Sequence, residues 1–536
     1  MGREQTETER KYAGPALPVG LENLPGVAST RRAEPHDLDA VYYDTSDLRL
    51  LRRGITVRRR TGGSDAGWHA KLPLGADSRQ EVHLPLGAAG QCQVPADFTG
   101  RLAAYTRGAV LLPVAHLRTH RRRAQLLDAQ GRILEEVTED RVAAQAFERT
   151  ADPAAPTRSG KSATWPPAEA AEGTRAQASG WTEFEVELEH GTQELLEQTD
   201  ALLAAAGLTP SPWPSKLAHA LGRTGTRQGG TAAAGDGGET RSAGNVVMHG
   251  VRAQCDRLLG LDGAVRCAQE DSIHQMRITA RRLRSLLKAH RRLFDTCRST
   301  PLADQLRWLA RLLGEARDQE VLADQLVGDL AAVPAPMREG ALRARITEHY
   351  TRGYRAAWQQ VVAELDSARY FTLLDDLEDF TDHPPLRRRA RRDAGDYLEG
   401  ALRRQQRRTL GRLDKALDTG AGPARDEALH RARKAAKRAR YTAECAQPAS
   451  VHSTAKRLHK YAGRMKKLHK VLGDQHDSVV ARQALVDLAE QADADPRHVF
   501  AYGVLHEAER RAADDALDRL PRLRRRAARR KLTRMP

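Results

Sequence analysis

The N-terminal stretch "ETERK" puts Glu7, Glu9 and Lys11 at alternate positions, so an extended strand would carry two carboxylates and an ammonium on one face. The alternation recurs: Arg58 and Arg60, Arg79 and Glu81, and the run Glu183, Glu185, Glu187 and Glu189 each share a face. Any one of these strands could lie on a solvated surface. Their sign is segregated, however, with Glu-rich first and last strands and Arg/Lys-rich strands between. Closed into a barrel with the charges inward, they would form a cavity with carboxylates on one wall and cations on the other. Carboxylate oxygens suit Mg²⁺ or Mn²⁺, Arg and Lys suit phosphate, and the metal can bridge to the same phosphate chain. No Ser-His-Asp order, cysteine nucleophile or GxxxxGK[ST] loop competes for the chemistry. Phosphoryl hydrolysis by positioned metal and water is the reaction class these residues predict.

A second constellation is helical and duplicated. The pattern H-x-x-R-x-x-x-[RK]-R-x-R begins at His274 and again at His430, an offset of 156. L-x-x-x-L-G-[DE]-x-[RH]-D follows in "LARLLGEARDQEVL" (309–322) and "LHKVLGDQHDSVVA" (468–481), at an offset of 159. At about 100° per residue, His274, Arg277, Arg281, Arg284 and Lys288 fall in one arc of about 80°, beside Met276, Leu283, Leu286 and Leu287. His430, Arg433, Lys437 and Arg440 form the same stripe beside Leu429, Ala432, Ala436, Ala439 and Ala443. A charge run on one helix is ordinarily a solvated face. Here almost no acids dilute the repulsion and the imbalance is repeated, which points to a surface for an anion with repeating charges. Each stripe histidine reads equally as a charge-switchable phosphate ligand or a helix-packing residue. Base readout or stacking calls for aromatic or amide side chains beside the cations. The stripes have neither and aromatics are 4% of the chain, so polyphosphate stands ahead of nucleic acid.

These residues must be positioned by more than one domain, since 536 residues exceed an ordinary single core. The balance of 87 Lys plus Arg against 70 Asp plus Glu, a formal charge of +17, favours a polyanionic partner. Cys92, Cys255, Cys267, Cys297 and Cys445 are scattered without metal or disulfide spacing. No apolar leader or run of about 18 apolar residues occurs, which predicts a cytoplasmic protein without a membrane anchor. Short β-like runs separated by Gly/Pro turns fill 5–220, predicting an antiparallel sheet or barrel with a few helices. From 245 long amphipathic Ala/Leu/Arg/Glu segments take over. The expected class is α+β: a domain over 1–221 with a flexible insertion at 147–180, a linker at 222–244, two related helical bundles over 245–520, and a basic tail at 521–536.

Two family resemblances follow. "HQMRITARRLRS", "LLGEARDQEVL", "LDSARYFTLLDDL", "LHRARKAAKRARY" and "VLGDQHDSVV" resemble the CHAD family, α-helical domains that bind inorganic polyphosphate. The resemblance implies that His274, Arg277, Arg281, Arg284, His430, Arg433, Lys437 and Arg440 line the polyphosphate surface; His476 stands where the first copy has Arg317. In the first half, ExExK, "YYDTSDLRLLRRGITVRRRTGG", "WHAKLP", "RQEV", "EEVTEDRV", "EFEVELEHG" and "SKLAHAL" resemble CYTH domains of the triphosphate tunnel metalloenzymes, whose fold is an eight-stranded antiparallel tunnel. That resemblance implies metal ligation by Glu7, Glu9, Glu185 and Glu187, which with Lys11 form the catalytic set. It implies triphosphate binding by Lys11, Arg58, Arg60, Lys71, Arg79, Arg121 and Lys216. Glu81, Glu136 and Asp140 are second-rank candidates, and Glu183 and Glu189 rank below the E-x-E beside Gly191. A one-residue slip would exchange Arg121 for Arg122.

Together the resemblances imply Mg²⁺- or Mn²⁺-dependent hydrolysis of inorganic triphosphate, with water activated by a second ion or a tunnel carboxylate. The helical domain would hold polyphosphate, with location in the cytoplasm or on polyphosphate granules. The alternatives are a non-catalytic polyphosphate-binding protein, a tunnel acting on nucleoside or thiamine triphosphate or cyclising ATP, and a nucleic-acid-binding helical surface.

Overall fold

In the first half the strands are apolar on the face that would normally be wet. Val57, Trp68, Ala70 and Val82 point away from the charged face and pack under helix α1 (Ala96–Thr106) with Phe98 and Leu102. Val137, Phe184 and Val186 do the same under α2 (Gln193–Ala205) with Leu195, Leu196 and Leu203. With its outer face buried by helices, the sheet turns its charged side chains inward. The computed structural model describes residues 3–18, 20–75, 77–87, 93–147, 178–223, 242–334, 340–448, 450, 452–491, 496–529 and 532–533.

Eight antiparallel strands close the barrel: β1 (Arg3–Ala13), β2 (Ser29–Asp44), β3 (Thr56–Thr61), β4 (Gly67–Pro73), β5 (Ser78–Leu84), β6 (Leu112–Leu127), β7 (Ile133–Ala146) and β8 (Ala178–Leu188). Their order is β5-β4-β3-β2-β6-β7-β8-β1, with β1 pairing back onto β5 and a two-residue β9 (Thr209–Pro210) beside it. β2 bulges between Ala33 and His36, at Glu34 and Pro35, where proline has no N–H for the ladder. The β3–β4 turn needs Gly62, at φ 81°, because a Cβ there would lie 2.1 Å from the Asp37 carbonyl oxygen. Helix α3 (Lys216–Ala220), capped by Ser215 Oγ on the Ala218 amide, packs Leu217 and Ala218 among inward residues of β2, β6 and β7.

The chain divides into two units, 1–229 and 230–536. Most of the insertion expected at 147–180 and of the linker expected at 222–244 lies outside the described residues, with β8 already begun at Ala178 and the next helix at Ala243. The second unit is helical: α4 (Ala243–Arg266), α5 (Ser272–Ala289), α6 (Thr296–Asp329), α7 (Gly340–Leu365), α8 (Ala368–Asp382), α9 (Ala394–Leu417), α10 (Pro423–Ala446), α11 (His452–Gln491) and α12 (Pro496–Ala527). Helix α5 packs on α4 and α6, α10 on α9 and α11, and α5 meets α10. The small stripe Ala432, Ala436, Ala439 and Ala443 lets Leu402, Leu413, Met465 and Leu468 approach α10 closely. The segment read as a basic tail is in part the end of α12, which continues through Pro521 to Ala527 and ties Arg524 to Asp414 at 2.7 and 2.8 Å. Among the described residues no helix is long and apolar enough to cross a membrane.

Candidate functional site

Because β1 lies between β5 and β8, its inward side chains meet both neighbours. Glu7 is opposite Arg79, Glu9 opposite Glu187, and Lys11 opposite Glu185. On the far side Arg121 faces Asp140, Asp140 faces Glu183, and Glu136 faces Glu187. The cavity inside this wall is lined by Glu9, Lys11, Tyr42, Thr56, Arg58, Lys71, Arg79, Arg121, Glu185, Glu187, Ser215 and Lys216. Arg121 faces this cavity, while Arg122 is exposed. Glu7 and Arg60 lie just behind the lining, Glu7 paired with Lys71 and Arg60 with Asp65. Glu81 bonds buried His69 at 2.9 Å, Glu136 lies 3.6 Å from Arg123, and Glu189 is exposed.

The carboxylate wall has two electrostatically different ends. At one, Glu185 accepts from Lys11, from Lys216 Nζ at 2.8 Å and from Arg121 Nη2 at 2.9 Å. Burial opposes its ionisation, but Lys11, Lys216 and Arg121 hold it well below the usual carboxylate range. Arg121 also grips Asp140 with two bonds, at 2.8 and 2.6 Å. The carboxylate oxygens of Asp140, Glu183 and Glu185 lie within 4.8 Å of one another, close enough to hold a metal ion. The Lys216 ammonium stands among them instead, at 2.9, 2.7 and 2.8 Å, and despite burial its pKa is driven well above the ordinary lysine value by Asp140, Glu183 and Glu185.

At the other end, burial pushes Glu9 up, but Lys11 and Lys71 outweigh it and bring its pKa to about 2. Its Oε1 is buried and accepts no hydrogen bond, although Arg79 Nε lies 3.3 Å away. Glu187 is pushed up to about 8 by burial and by Glu7, Glu189 and Glu9. Among the described residues its carboxylate makes no hydrogen bond. A buried orphan oxygen on Glu9 and a carboxyl whose ionisation is opposed by its acidic neighbours fit a divalent cation: hard oxygen donors, with a conflict that two positive charges would remove.

The cation wall has the complementary deficit. Arg58 Nη1 donates to the Tyr42 hydroxyl at 3.3 Å, yet the Nε–H groups of Arg58 and Arg60 are buried without an acceptor. Burial, Arg58 and Arg121 lower Arg60 to about 9. Buried donors without acceptors, crowded by like charge, are what an entering polyanion satisfies. Tyr42, Thr56 and Ser215 were not singled out from the sequence; Ser215 directly precedes Lys216, and Tyr42 sits opposite Arg58 in the β2–β3 ladder.

In the helical unit the two stripes meet. Arg277 bonds Asp318 at 3.0 Å over Gly314, and Arg433 pairs with Asp477 at 3.3 Å over Gly473, so the repeats build the same clamp twice. Burial and Arg277 lower Arg281 to about 10. Lys437 is driven well below the ordinary lysine range by burial, Arg281, Arg433, Arg277 and Arg284. Burial and Arg307 lower Arg284, and burial and Arg284 lower Lys288. The Nε–H groups of Arg277, Arg284 and Arg317 are buried without acceptors. Arg440 is bound to Glu444 at 2.6 Å. His430 is brought to about 4 by burial and the ring of His476, 4.4 Å away, and His274 is lowered by burial and Arg317. His469, lowered to about 3 by burial, Arg433 and Lys437, belongs to this cluster and lies outside the sequence-derived stripes. Its signal was its place two turns before His476 in "LHKVLGDQH".

The CYTH domain family model matches residues 5–211 and the CHAD domain family model residues 249–486. An uncharacterized protein, MT2285, of Mycobacterium tuberculosis strain CDC 1551 / Oshkosh is 35% identical over 522 residues, 96% of this chain and 94% of its own. Among solved structures, PptA from Streptomyces chartreusis is 19% identical, covering 53% of this chain and 99% of its own, with a TM-score of 0.43. The CHAD domain from the plant Ricinus communis is 24% identical, covering 52% and 91%, with a TM-score of 0.40.

Proposed function

Since the chain belongs to the family in which a CYTH domain precedes a CHAD domain, we propose that its tunnel hydrolyses inorganic triphosphate and that its helical domain binds polyphosphate. CYTH domains include triphosphatases and cyclases, and CHAD domains are linked to polyphosphate. One observation carries the tunnel reading: a single cavity is walled by Lys11, Arg58, Lys71, Arg79, Arg121 and Lys216 against Glu9, Glu185 and Glu187. No aromatic side chain other than Tyr42 is among its lining residues, which favours a bare phosphate chain over a nucleotide.

Glu7, Glu9 and Glu187 would hold the divalent ion. When bound, Mg²⁺ or Mn²⁺ supplies Lewis-acid neutralisation of phosphate oxygens. Glu185, already neutralised by three cations, instead fixes Lys11, Lys216 and Arg121. Arg58 and Arg121 present planar donors to the non-bridging oxygens, and Arg79 and Lys71 add charge beside Glu9. Lys216 stays cationic at any physiological pH, so it stabilises the leaving phosphate by charge and does not donate a proton. The arrangement lowers the barrier to in-line attack by water mainly by position and preorganised charge. The helical domain would keep the tunnel near its substrate through a tether, raising its local concentration.

The test is phosphate release from tripolyphosphate, ATP and thiamine triphosphate with Mg²⁺ or Mn²⁺, for the wild type and Glu7→Ala/Glu9→Ala. Metal-dependent turnover highest on tripolyphosphate and lost in the double variant is expected; absence of metal-dependent turnover would sink the enzyme reading. For the helical domain, labelled polyphosphate is competed with DNA at matched salt, and efficient displacement by DNA would point to nucleic acid.

A further inference from the structure

The two helical repeats are alike in their clamps but differ in charge where the phosphate surface leaves them. Glu444 on α10 neutralises one exit: its carboxylate pairs with Arg440 at 2.6 Å and with Arg282 on α5 at 3.4 Å. At the stripe's offset of 156, the counterpart of Arg282 is Arg438 and that of Glu444 is Lys288. The matching α5–α10 contact therefore sets cation against cation. Lys288 is lowered by burial and by Arg284, Arg307 and Arg438, with Asp304 the opposing acid; Arg438 is brought to about 10 by burial and by Arg408, Arg412 and Arg284.

The helix preceding each stripe differs in the same sense. Helices α4 and α9 are both 24 residues long, and both begin Ala-Gly and carry Arg, Gln, Leu and Gly at matching places at an offset of 151. Arg404, Arg407, Arg412 and Lys415 on α9 stand where α4 has Ala253, Asp256, Leu261 and Ala264. Arg412 is fixed toward α10 by its bond to the Arg431 carbonyl at 3.2 Å. Arg408, exposed on α9, is one of the cations crowding both Arg438 and Arg412. On α4 the counterpart of Arg408 is Arg257, which donates to Gln275 at 3.0 Å.

We propose that the phosphate path is one-sided: a polyphosphate chain leaves the α5–α10 clamps across Lys288 and Arg438 and runs onto Arg408 and Arg412 of α9, while Glu444 closes the opposite exit. The inference rests on polyphosphate binding by the helical domain. It adds a subsite for inorganic polyphosphate that only chains longer than the clamps can reach. Such a subsite makes affinity depend on chain length with no change in the clamp itself, because each further phosphate contact releases more counterions.

The test uses the full chain with size-fractionated short and long polyphosphate, titrated at several salt concentrations. Arg408→Ala/Arg412→Ala should weaken long-chain binding about tenfold and flatten its salt dependence, leaving short-chain binding within about twofold. Arg257→Ala, on the corresponding face of α4, should leave both unchanged, and Glu444→Gln should tighten long-chain binding. Equal losses from the α4 and α9 variants, or no loss from the α9 variant while Arg281→Ala abolishes binding, would overturn the one-sided path. No binding by the wild type at all would instead refute the polyphosphate reading on which the path depends, and the path with it.

Discussion

Replacing Glu187 by Gln should stabilise the metal-free tunnel domain at alkaline pH while diminishing its response to divalent cations. Glu187 is half-buried beside Glu7, Glu9 and Glu189, and its pKa rises from 4.5 to about 8. Between those values the folded state keeps a proton that the unfolded chain has released. Stability therefore falls as pH climbs from about 4.5 through 8, and above 8 the full cost of a half-buried, repelled carboxylate is present. At about 1.4 kcal/mol per unit the shift corresponds to roughly 4–5 kcal/mol, an upper bound because Glu7 and Glu9 can relax and water can enter. Glutamine has no proton to lose, so the variant should lack this part of the decline.

The assay is urea unfolding of the full chain at pH 5, 7 and 9, with the folded fraction of β1 and β8 read by a brief hydrogen-exchange pulse at fixed pH. A local probe is needed because the two units need not unfold together. The wild type should lose stability across this range and recover much of it with millimolar Mg²⁺ or Mn²⁺, which replaces the proton as the balancing charge. The variant should be flatter with pH and gain less from the metal. Parallel pH profiles for the two proteins, or undiminished stabilisation of the variant by metal, would refute the reasoning.

Lys216→Met should have the opposite effect on the same barrel, leaving Asp140, Glu183 and Glu185 without their shared ammonium; a loss of about 3–5 kcal/mol is expected in the same urea assay. Lys437→Met should stabilise the helical domain by about 1–3 kcal/mol, since it removes a half-buried cation repelled by Arg281, Arg433, Arg277 and Arg284, yet it should weaken polyphosphate binding in a titration. His430 and His469 have folded pKa values of about 4 and 3, below the ordinary 6.5. The stability they contribute is complete above pH 6.5 and is lost as pH falls below it, so the free helical domain should melt at lower temperature at pH 5 than at pH 7. A bound polyanion reverses the repulsion, so polyphosphate binding should tighten over the same fall in pH, with proton uptake measurable by calorimetry in two buffers of different ionisation enthalpy.

The parts of this molecule that could be read from its sequence are those where a periodicity and a charge pattern coincide. Inward charge with outward Val57, Trp68, Phe184 and Val186 is a two-residue alternation, so the barrel strands and Glu9, Lys11, Arg58, Arg79, Glu185 and Glu187 of the cavity wall were visible in it, while Lys71, Arg121 and Lys216 came from the family resemblance. Duplication made the helical stripes visible in the same way. What alternation leaves open is which inward charges neutralise one another, because that depends on register across strands distant in sequence. Arg121 rather than Arg122 enters the cavity because β6 alternates without a break from Ala115 to Arg121, opposite inward Asp140 of β7, a register that the run of arginines does not reveal by itself. His469 escaped because it is a single residue on α11, outside either repeated stripe. The same logic separates four glutamates that look equivalent in the chain. Glu185 meets Lys11 on β1, Arg121 on β6 and Lys216 on α3, and none of these contacts is local. Glu187, two residues on, meets Glu9 and Glu136. One E-x-E motif therefore splits into a carboxylate that fixes the cation wall and another whose acidic neighbours outweigh its counter-charge, Lys71. The proposed ion site at Glu187, Glu9 and Glu7 rests on that excess of acid, since the closer-set Asp140, Glu183 and Glu185 share one ammonium at 2.7 to 2.9 Å.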